Sequence, residues 1–262
     1  MNRAQSAQDL VRAVRAAGIS DERMLRVMEM VPRAEFVPVE HVALAYHDEP
    51  VPIPHGQVTT QPSLSARLLE GLDLAGKEHV LEIGTGLGFQ TALLAHLAAD
   101  VVTIDRWPDM VGRAEQNLAR QGIHNVELLA GDGSCGVPSH APFDAVVVSA
   151  AFPEVPPPLI EQLRMGGRLV QPIGPGGGRR SCCSSVAATV CSVAASSPGL
   201  ASSVCTPVRS STLTAPFAFD CRSRDVRRLQ RPCLFRIVPA VARSAGAIRG
   251  RRYRSEVSAP LR

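Results

Sequence analysis

The sequence predicts an α/β protein with a mostly parallel, doubly wound sheet, and two helices before it. Between residues 79 and 173, short stretches rich in Val, Leu and Ile alternate with helical stretches. The short stretches are apolar at consecutive positions, which is typical of strands covered by helices on both faces. The predicted strands are 79–84, 101–105, 126–131, 145–150 and 168–173, and the helices between them lie near 90–99, 108–121 and 156–165.

The first 45 residues predict two amphipathic helices, because apolar residues recur at offsets 0, 3, 4 and 7. One set ends before Gly18 and the other before Pro32, with Ser20 or Asp21 as the cap between them. The segment 46–62 carries four prolines and one glycine, which predicts a structured loop leading into a helix near 63–72. The two apolar sets are Leu10, Ala13, Val14 and Ala17, then Met24, Val27, Met28 and Val31.

The composition changes abruptly at Gly178. Residues 1–178 hold 13 Lys and Arg against 21 Asp and Glu, a formal charge of −8. Residues 179–262 hold 15 Arg, no Lys and three acids, a charge of +12, and the two parts together give the net charge of +4. Six of the seven cysteines also follow Gly178. The predicted units are therefore an N-terminal helical segment (1–45), a core (46–178) and a tail (179–262).

Several classes of function are disfavoured by the composition. The sequence contains no run of 18 apolar residues, so no membrane span is expected. The polar start of the chain is unlike a secretory signal, and we therefore expect a cytoplasmic protein. The basic pI belongs to the tail and does not by itself predict nucleic-acid binding. The cysteines show no C-x-x-C pair, so no metal site is expected.

The strongest local motif is a glycine-rich turn after the first predicted strand. Gly84, Gly86 and Gly88 stand at alternate positions, and glycine lets a ligand approach the backbone closely. The G-x-G-x-G spacing differs from the G-x-G-x-x-G loop that binds pyrophosphate, which disfavours an NAD enzyme. It suits S-adenosylmethionine, which has no phosphate, and Glu82 suits the cationic amine of that molecule. An ordinary strand-to-helix turn is the alternative.

One acid ends the next predicted strand, and a second acid directly follows the strand after that. Asp105 lies 21 residues after Gly84, and an acid about 20 residues on binds the ribose hydroxyls in nucleotide-binding α/β folds. Asp132, followed by Gly133, lies where ligands bind in open sheets and suits the adenine amino group. A helix N-cap and an Asp-Gly turn are the respective alternatives. Trp107 is a candidate to pack either on adenine or at the start of the next helix.

Longer strings resemble one family. EIGTGLGFQ, IDRWPDM, GDGS, APFDAVVVSAAFPEVPPPLIEQL and GGRLVQPIGP, with VPRAEFVP and GQVTTQP upstream, are similar to protein-L-isoaspartate O-methyltransferases. The resemblance covers about residues 20–178 and implies a Rossmann-like class I methyltransferase fold. It also implies methyl transfer from S-adenosylmethionine to the carboxylate of L-isoaspartyl residues in damaged proteins or peptides, a repair reaction.

The resemblance further implies a set of site residues. Thr60 stands where the family has a hydroxyl residue, usually serine, and is expected to orient the substrate carboxylate; the adjacent Thr59 is the alternative. That carboxylate is already anionic at neutral pH, so orientation and not proton removal is expected to matter. The remaining expected residues are Gln57, Thr59 and His55 for the substrate, and Glu82, Gly84, Thr85, Gly86, Gly88, Asp105, Arg106, Asp132 and Gly133 for the donor.

The tail departs from the family, in which two further strands close the sheet. We therefore expect the C-terminal strands to be missing and residues 179–262 to be disordered or read out of frame. Two other functions stay open: aspartate methylation of a peptide natural product, and an inactive donor-binding remnant whose tail binds nucleic acid. We expect a monomer whose partners are isoaspartyl proteins or peptides, with no membrane or nucleic-acid partner.

Overall fold

The computed structural model describes residues 6–149, 155–173, 189–197, 200–207 and 236–237, with side chains for 6–149 and 155–172. The helices are α1 (Ala7–Ala16), α2 (Glu22–Met30), α3 (Pro62–Glu70), α4 (Phe89–Leu97), α5 (Pro108–Arg120) and α6 (Pro157–Glu161). The strands are β1 (Pro52–Ile53), β2 (Gln57–Val58), β3 (His79–Ile83), β4 (Asp100–Asp105), β5 (Val126–Ala130), β6 (Phe143–Val148), β7 (Leu163–Ile173), β8 (Thr189–Ser197), β9 (Leu200–Pro207) and β10 (Arg236–Ile237).

Five parallel strands form the centre of an eight-stranded sheet with the order β10-β5-β4-β3-β6-β7-β8-β9. β3 pairs in parallel with both β4 and β6, while β5 and β7 extend the parallel part on either side. Neighbouring residues of β3 enter different cores, since Val80 packs with the N-terminal helices and Leu81 packs on the opposite face. The predicted parallel sheet, buried on both faces, is confirmed.

The two N-terminal helices form as the sequence predicts. Ser6 and Asp9 make a reciprocal capping box at the start of α1. Asp21, and not Ser20, caps α2, because its carboxylate accepts from the amides of Arg23 and Met24. Their apolar faces enter the larger core cluster together with α3 and α4. α1 and α2 therefore cover one face of the sheet. The packing on this face positions α3 and the loop before it.

The helix predicted near 156–165 is too long. α6 ends at Glu161, and β7 begins at Leu163. Gly166 adopts φ +78°, and a Cβ on Gly167 would lie 2.9 Å from the Arg164 carbonyl oxygen, so the chain turns tightly there. The pairing of β6 with β7 shifts register at this point, between Phe143 and Ala145. Two consecutive glycines favour such an irregularity over a continuing helix.

The expectation of missing C-terminal strands is wrong for residues 189–197 and 200–207. β8 pairs antiparallel with β7 across residues 168–173, and β9 pairs antiparallel with β8. β-branched Thr and Val recur in β8, and Pro198-Gly199 between the strands is a turn dipeptide in the sequence. An unpaired edge on β7 would leave its backbone polar groups without partners, which pairing with β8 avoids. The predicted disorder of the rest of the tail lies outside the described residues, apart from β10.

No helix in the described ranges combines the length and the apolar character needed to cross a membrane.

Candidate active site

The glycine turn lies where the order of the strands reverses. The chain runs from β3 outward to β5, then returns to place β6 on the other side of β3. At the carboxyl ends of these strands the Gly84 amide donates to the Ile104 carbonyl at 2.8 Å, and the Ser149 amide donates to the Ile83 carbonyl at 2.8 Å. Ligands of open α/β sheets bind in the crevice at such a switch point.

The three glycines of the turn all have left-handed backbone conformations. Gly84, Gly86 and Gly88 have φ values of +98°, +57° and +93°, which residues with a Cβ rarely adopt. A Cβ on Gly88 would also lie only 3.3 Å from the Cβ of Ala114 in α5. Because Gly88 is the N-cap of α4, no side chain of its own covers the first amides of that helix. The turn thus leaves bare backbone at the switch point.

Asp105 is joined directly to the glycine turn. Its carboxylate accepts from the Gly86 amide at 2.9 Å and from the Trp107 amide at 3.1 Å. Burial raises the pKa of Asp105, although these hydrogen bonds oppose the shift. The N-cap of α5 is Trp107, so the alternative role of Asp105 as that cap is not what the structure shows. A carboxylate has about four acceptor positions, so two amides leave capacity for ribose hydroxyls.

Glu82 lies beneath the turn with no exposed surface. Its carboxylate accepts from the hydroxyls of Thr91 at 2.5 Å and Thr103 at 2.8 Å, and from the Gln90 amide at 3.1 Å. Desolvation raises its pKa to about 7, against the effect of these bonds. The sequence predicted a direct contact between Glu82 and the donor's amine, and the buried position of Glu82 corrects this prediction. β3 is the central strand, and its side chains are covered on both faces.

The Glu82 network extends to both sides of the switch point. Thr103 shares a 2.7 Å hydrogen bond with the hydroxyl of Thr85 in the glycine turn. Gln90 donates to the Ser149 hydroxyl at 2.7 Å, at the end of β6. The predicted residue Thr85 thus turns its side chain inward and can meet a ligand only through its backbone. Sequence reasoning missed Thr103, whose signal is a polar residue inside the apolar run of β4.

The loop after β5 packs closely on the ends of the central strands. Asp132 accepts from the Ser134 amide at 3.0 Å and so caps a short 3-10 turn, Gly133–Cys135. A Cβ on Gly133 would lie 2.7 Å from Cγ2 of Ile83. The turn-forming role of Asp132 is therefore observed, while its exposed carboxylate remains beside the crevice. Cys135 is half-buried and has a free thiol.

A proline-rich hairpin covers the glycine turn and the start of α5. β1 and β2 pair antiparallel, and His55 between them has a left-handed backbone with φ +61°. The His55 ring stacks on Trp107 with centroids 3.9 Å apart, and its Nε2 lies 2.8 Å from Asp109 Oδ1. Ile53 packs with Leu87 of the turn in a small apolar cluster. His55 is thus held by α5 and is not a freely solvated loop residue.

The other predicted residues of this region lie around the same stack. Arg106 places its guanidinium carbon 5.2 Å from the centre of the Trp107 ring. The Gln57 side chain donates to the His55 carbonyl at 3.3 Å. The structure therefore brings Gln57, His55 and Arg106 together around Trp107, the only tryptophan of the chain. The stacking of an imidazole on an indole 52 positions away could not be predicted from any pattern in the sequence.

The two adjacent threonines have different surroundings. The Thr59 hydroxyl accepts from the Arg33 guanidinium at 3.0 Å and from the Val51 amide at 2.9 Å. The half-buried Thr60 has no side-chain hydrogen bond to any residue that the structure describes. The lone pairs of Thr59 are thus used within the loop, while the Thr60 hydroxyl is available to a ligand.

The sequence model of the protein-L-isoaspartate(D-aspartate) O-methyltransferase family matches residues 5–186. The match includes every helix that the structure describes and the strands from β1 to β7. The chain belongs to this family. The resemblance that the motifs predicted is thereby confirmed, and so is S-adenosylmethionine as the methyl donor of the family.

Individual protein-L-isoaspartate O-methyltransferases are similar to about 60% of the chain. The protein from Methanoculleus marisnigri is 52% identical over 162 residues, which cover 62% of this chain and 74% of that protein. The one from Myxococcus xanthus is 47% identical over 161 residues, covering 62% of this chain and 76% of that protein. The family match ends at residue 186, so residues 187–262 lie outside it.

Solved structures of protein-L-isoaspartate O-methyltransferases share the fold. One is 27% identical with a TM-score of 0.63, and the match covers 81% of this chain and 65% of that one. Another, from Plasmodium falciparum and bound to S-adenosyl-L-homocysteine, has a TM-score of 0.61, 19% identity, and coverage of 82% and 97%. The second shows the fold alone. The predicted Rossmann-like class I methyltransferase fold is confirmed.

The described residues suit the methyl donor of the isoaspartate methyltransferase family. The left-handed glycine turn presents backbone without side chains at the switch point. The indole N–H of Trp107 is buried and finds no partner within the part of the chain that the structure describes. Trp107 follows Asp105 by two residues, and the Asp105 carboxylate keeps acceptor capacity for a ligand beside its two amide donors.

Proposed function

We propose that the chain transfers a methyl group from S-adenosylmethionine to the carboxylate of L-isoaspartyl residues in damaged proteins or peptides. The observation that carries this proposal is the Thr60 hydroxyl, which is left without a partner among the described residues at the end of the hairpin over the glycine turn. Family membership and the motif GQVTTQP support the substrate class.

On the donor side, we assign the ribose hydroxyls to Asp105 and the adenine amino group to Asp132. The bare backbone of the glycine turn and the amides at the start of α4 suit the donor's carboxylate, because helix N-termini favour anions. Glu82 acts indirectly, since its hydrogen bonds fix Thr103 and Gln90 below the turn. Arg106 and Trp107 border the nucleoside, and the bound donor supplies an electrophilic methyl group on a positively charged sulfur.

On the substrate side, Thr60 donates a hydrogen bond to the isoaspartyl carboxylate and directs one oxygen toward the donor. No proton has to leave the substrate, because a carboxyl group with a reference pKa near 4 is ionised at neutral pH. Proximity and orientation can lower such a barrier by about 7–11 kcal/mol. His55, Gln57 and Thr59 line the substrate side of the hairpin in this proposal, and the hairpin helps to exclude water.

Labelled methyl transfer to paired peptides tests the substrate class. An isoaspartyl peptide and its aspartyl twin have the same composition and differ only in which carboxylate is free. We expect transfer to the isoaspartyl peptide alone. Preferred transfer to the aspartyl twin would instead favour a natural-product aspartate methyltransferase, and donor binding without transfer to either would indicate an inactive remnant.

We further propose that the protein works as a monomer in the cytoplasm. Membership of the isoaspartate methyltransferase family supports the cytoplasmic location. Sedimentation equilibrium of the full chain and fractionation of the source cells test the oligomeric state and the location separately. A dimer, or a signal in the membrane fraction, would contradict one or the other.

We also propose that the natural reading frame is lost near Gly178. The family match stops at residue 186, close to the point where the charge and the cysteine content change. Resequencing the gene and translating the other two frames past Gly178 tests this. A frame that restores sequence similar to the relatives is expected, and two frames without such sequence would contradict the proposal.

A further inference from the structure

A buried arginine lies behind the loop that carries Thr60. Arg33 begins a 3-10 turn, Arg33–Phe36, that follows α2, and its side chain has no exposed surface. Its Nη1 donates to the carbonyl oxygens of Ala45 at 3.0 Å and His47 at 2.9 Å. Its Nη2 donates to the carbonyl of Glu49 at 3.0 Å and to the Thr59 hydroxyl at 3.0 Å. One guanidinium therefore binds four points of the loop.

The acceptors of Arg33 are neutral, which makes this an unusual place for a cation. Burial lowers the pKa of Arg33 to about 10, and Asp48 opposes the shift. The guanidinium carbon lies 5.6 Å from the ring centre of Phe89, the first residue of α4 after the glycine turn. A planar guanidinium holds several acceptors in fixed directions, which an ammonium group cannot do. The same side chain thus contacts the substrate loop and the helix of the donor turn.

Asp48 holds the chain on the other side of Thr60. Its carboxylate accepts from the Gln61 side-chain amide at 3.0 Å and from the Ser63 backbone amide at 2.7 Å. On the near side, the Thr59 amide donates to the Val51 carbonyl at 2.8 Å, in addition to the bond from Arg33. Thr60 is therefore bracketed by fixed neighbours while its own hydroxyl has no partner in the described chain.

We propose that Arg33 is a positioning residue for methyl transfer, which acts through Thr59 to fix the direction of the Thr60 hydroxyl relative to the donor turn. The proposal rests on the proposed function of Thr60. Arg33 touches neither substrate nor donor in this account. A displacement of about 1 Å in an oriented group can cost about 100-fold in rate, so four hydrogen bonds behind one hydroxyl are expected to matter for turnover.

Arg33→Lys in the full-length chain is the principal test, because it keeps the charge and removes the planar set of donors. We expect kcat on an isoaspartyl peptide to fall about 10- to 100-fold, with the affinity for S-adenosylhomocysteine changed less than about twofold. Thr59→Val, which removes one acceptor of Arg33, should lower kcat in the same direction. Arg23→Lys is the matched control, since Arg23 also binds two backbone carbonyls but holds α2 elsewhere; it should leave kcat within about twofold.

A double-mutant cycle separates positioning from general stability. In a Thr60→Ala background, Arg33→Lys should lower the residual rate less than about twofold, since the hydroxyl that it directs is gone. Equal losses in the two backgrounds would overturn the proposal. An equal loss of kcat in Arg23→Lys would overturn the proposal as well.

Amide hydrogen exchange gives a reading that does not depend on activity. Arg33→Lys should accelerate exchange in residues 49–61 by about 10-fold or more while β3 keeps its protection. Unchanged exchange in 49–61 would overturn the positioning of Thr60 by Arg33. Absence of methyl transfer in the unmodified protein would refute the proposed function instead, and the exchange result would then decide the positioning claim alone.

Discussion

The carboxylate of Asp105 accepts a hydrogen bond from the Gly86 amide at 2.9 Å. The acid at the end of β4 and the glycine turn after β3 are therefore parts of one structure. A substitution at Asp105 is expected to affect the donor site in two ways, through lost contacts to the ribose and through a displaced turn.

Asp105→Asn should weaken binding of S-adenosylhomocysteine by about 10-fold or more, since hydrogen bonds to charged groups contribute about 1.5–3 kcal/mol. The side-chain amide nitrogen of asparagine would also face the backbone N–H of Gly86 or Trp107. One hydrogen-bond donor would then point at another. Isothermal titration calorimetry measures the change. Asp100→Asn at the opposite end of β4 is the matched control, because Asp100 pairs with His79 away from the crevice. Equal losses of affinity in both variants would argue against a direct contact between Asp105 and the methyl donor.

Gly133→Ala should lower the free energy of unfolding by about 1–3 kcal/mol, because overpacking forces neighbours apart. The added Cβ would meet Cγ2 of Ile83 at 2.7 Å and Cγ2 of Ile104 at 3.2 Å. Gly112→Ala is the control with the opposite sign. Gly112 lies in α5 with nothing within 4 Å of the added Cβ, so alanine should stabilise by up to about 1 kcal/mol. Urea unfolding of both variants checks the signs, and a neutral Gly133→Ala would contradict the close packing.

Glu82→Gln should change how stability depends on pH. Burial raises the pKa of Glu82 from 4.5 to about 7, so between these values the folded state holds a proton that the unfolded state has released. The stabilisation is fully present below pH 4.5 and is lost as the pH rises through about 7, a change of about 3 kcal/mol. Glu82→Gln removes this dependence. In urea unfolding from pH 5 to 8, the free energy of unfolding of the variant should rise relative to that of the unmodified protein. The same pH dependence in both proteins would contradict a raised pKa of Glu82.

His55→Ala should loosen the hairpin and weaken donor binding by about 2- to 10-fold, because an aromatic pair contributes about 0.5–1.5 kcal/mol. Trp107, the only tryptophan, reports on this directly, since the His55 ring stacks on it at 3.9 Å. Its fluorescence should change on titration with S-adenosylhomocysteine. The emission of the ligand-free His55→Ala variant should also differ from that of the unmodified protein. Identical emission would show that the stack does not persist in solution.

The sequence was most informative where spacing alone defines a site. Glycines at 84, 86 and 88 and acids at strand ends predicted the switch-point crevice, because a parallel sheet aligns the carboxyl ends of its strands. The inward turn of Glu82 and Thr85 was not predictable, since it depends on hydroxyls from β4 and α4 that only the packed sheet brings together. The same holds for Arg33, whose acceptors lie 12 to 26 residues away.

Two errors in the predicted elements also have physical causes. The helix prediction through residue 165 neglected the glycine pair at 166 and 167, which favours a tight turn. The prediction of missing strands treated the composition of the tail as evidence against pairing. Runs of small and β-branched residues separated by Pro198-Gly199 favour a hairpin whatever their origin, and the edge of β7 offers a partner.

Single-turnover transfer of a labelled methyl group to an isoaspartyl peptide by the full-length protein tests the central claim most directly. We predict transfer by the unmodified protein, near-normal transfer by Thr60→Ser, which keeps the hydroxyl, and a loss of about 10-fold or more in Thr60→Ala, with donor affinity unchanged in both variants. Transfer by Thr60→Ala at the rate of the unmodified protein, or no transfer by a folded, donor-binding unmodified chain, would contradict the account.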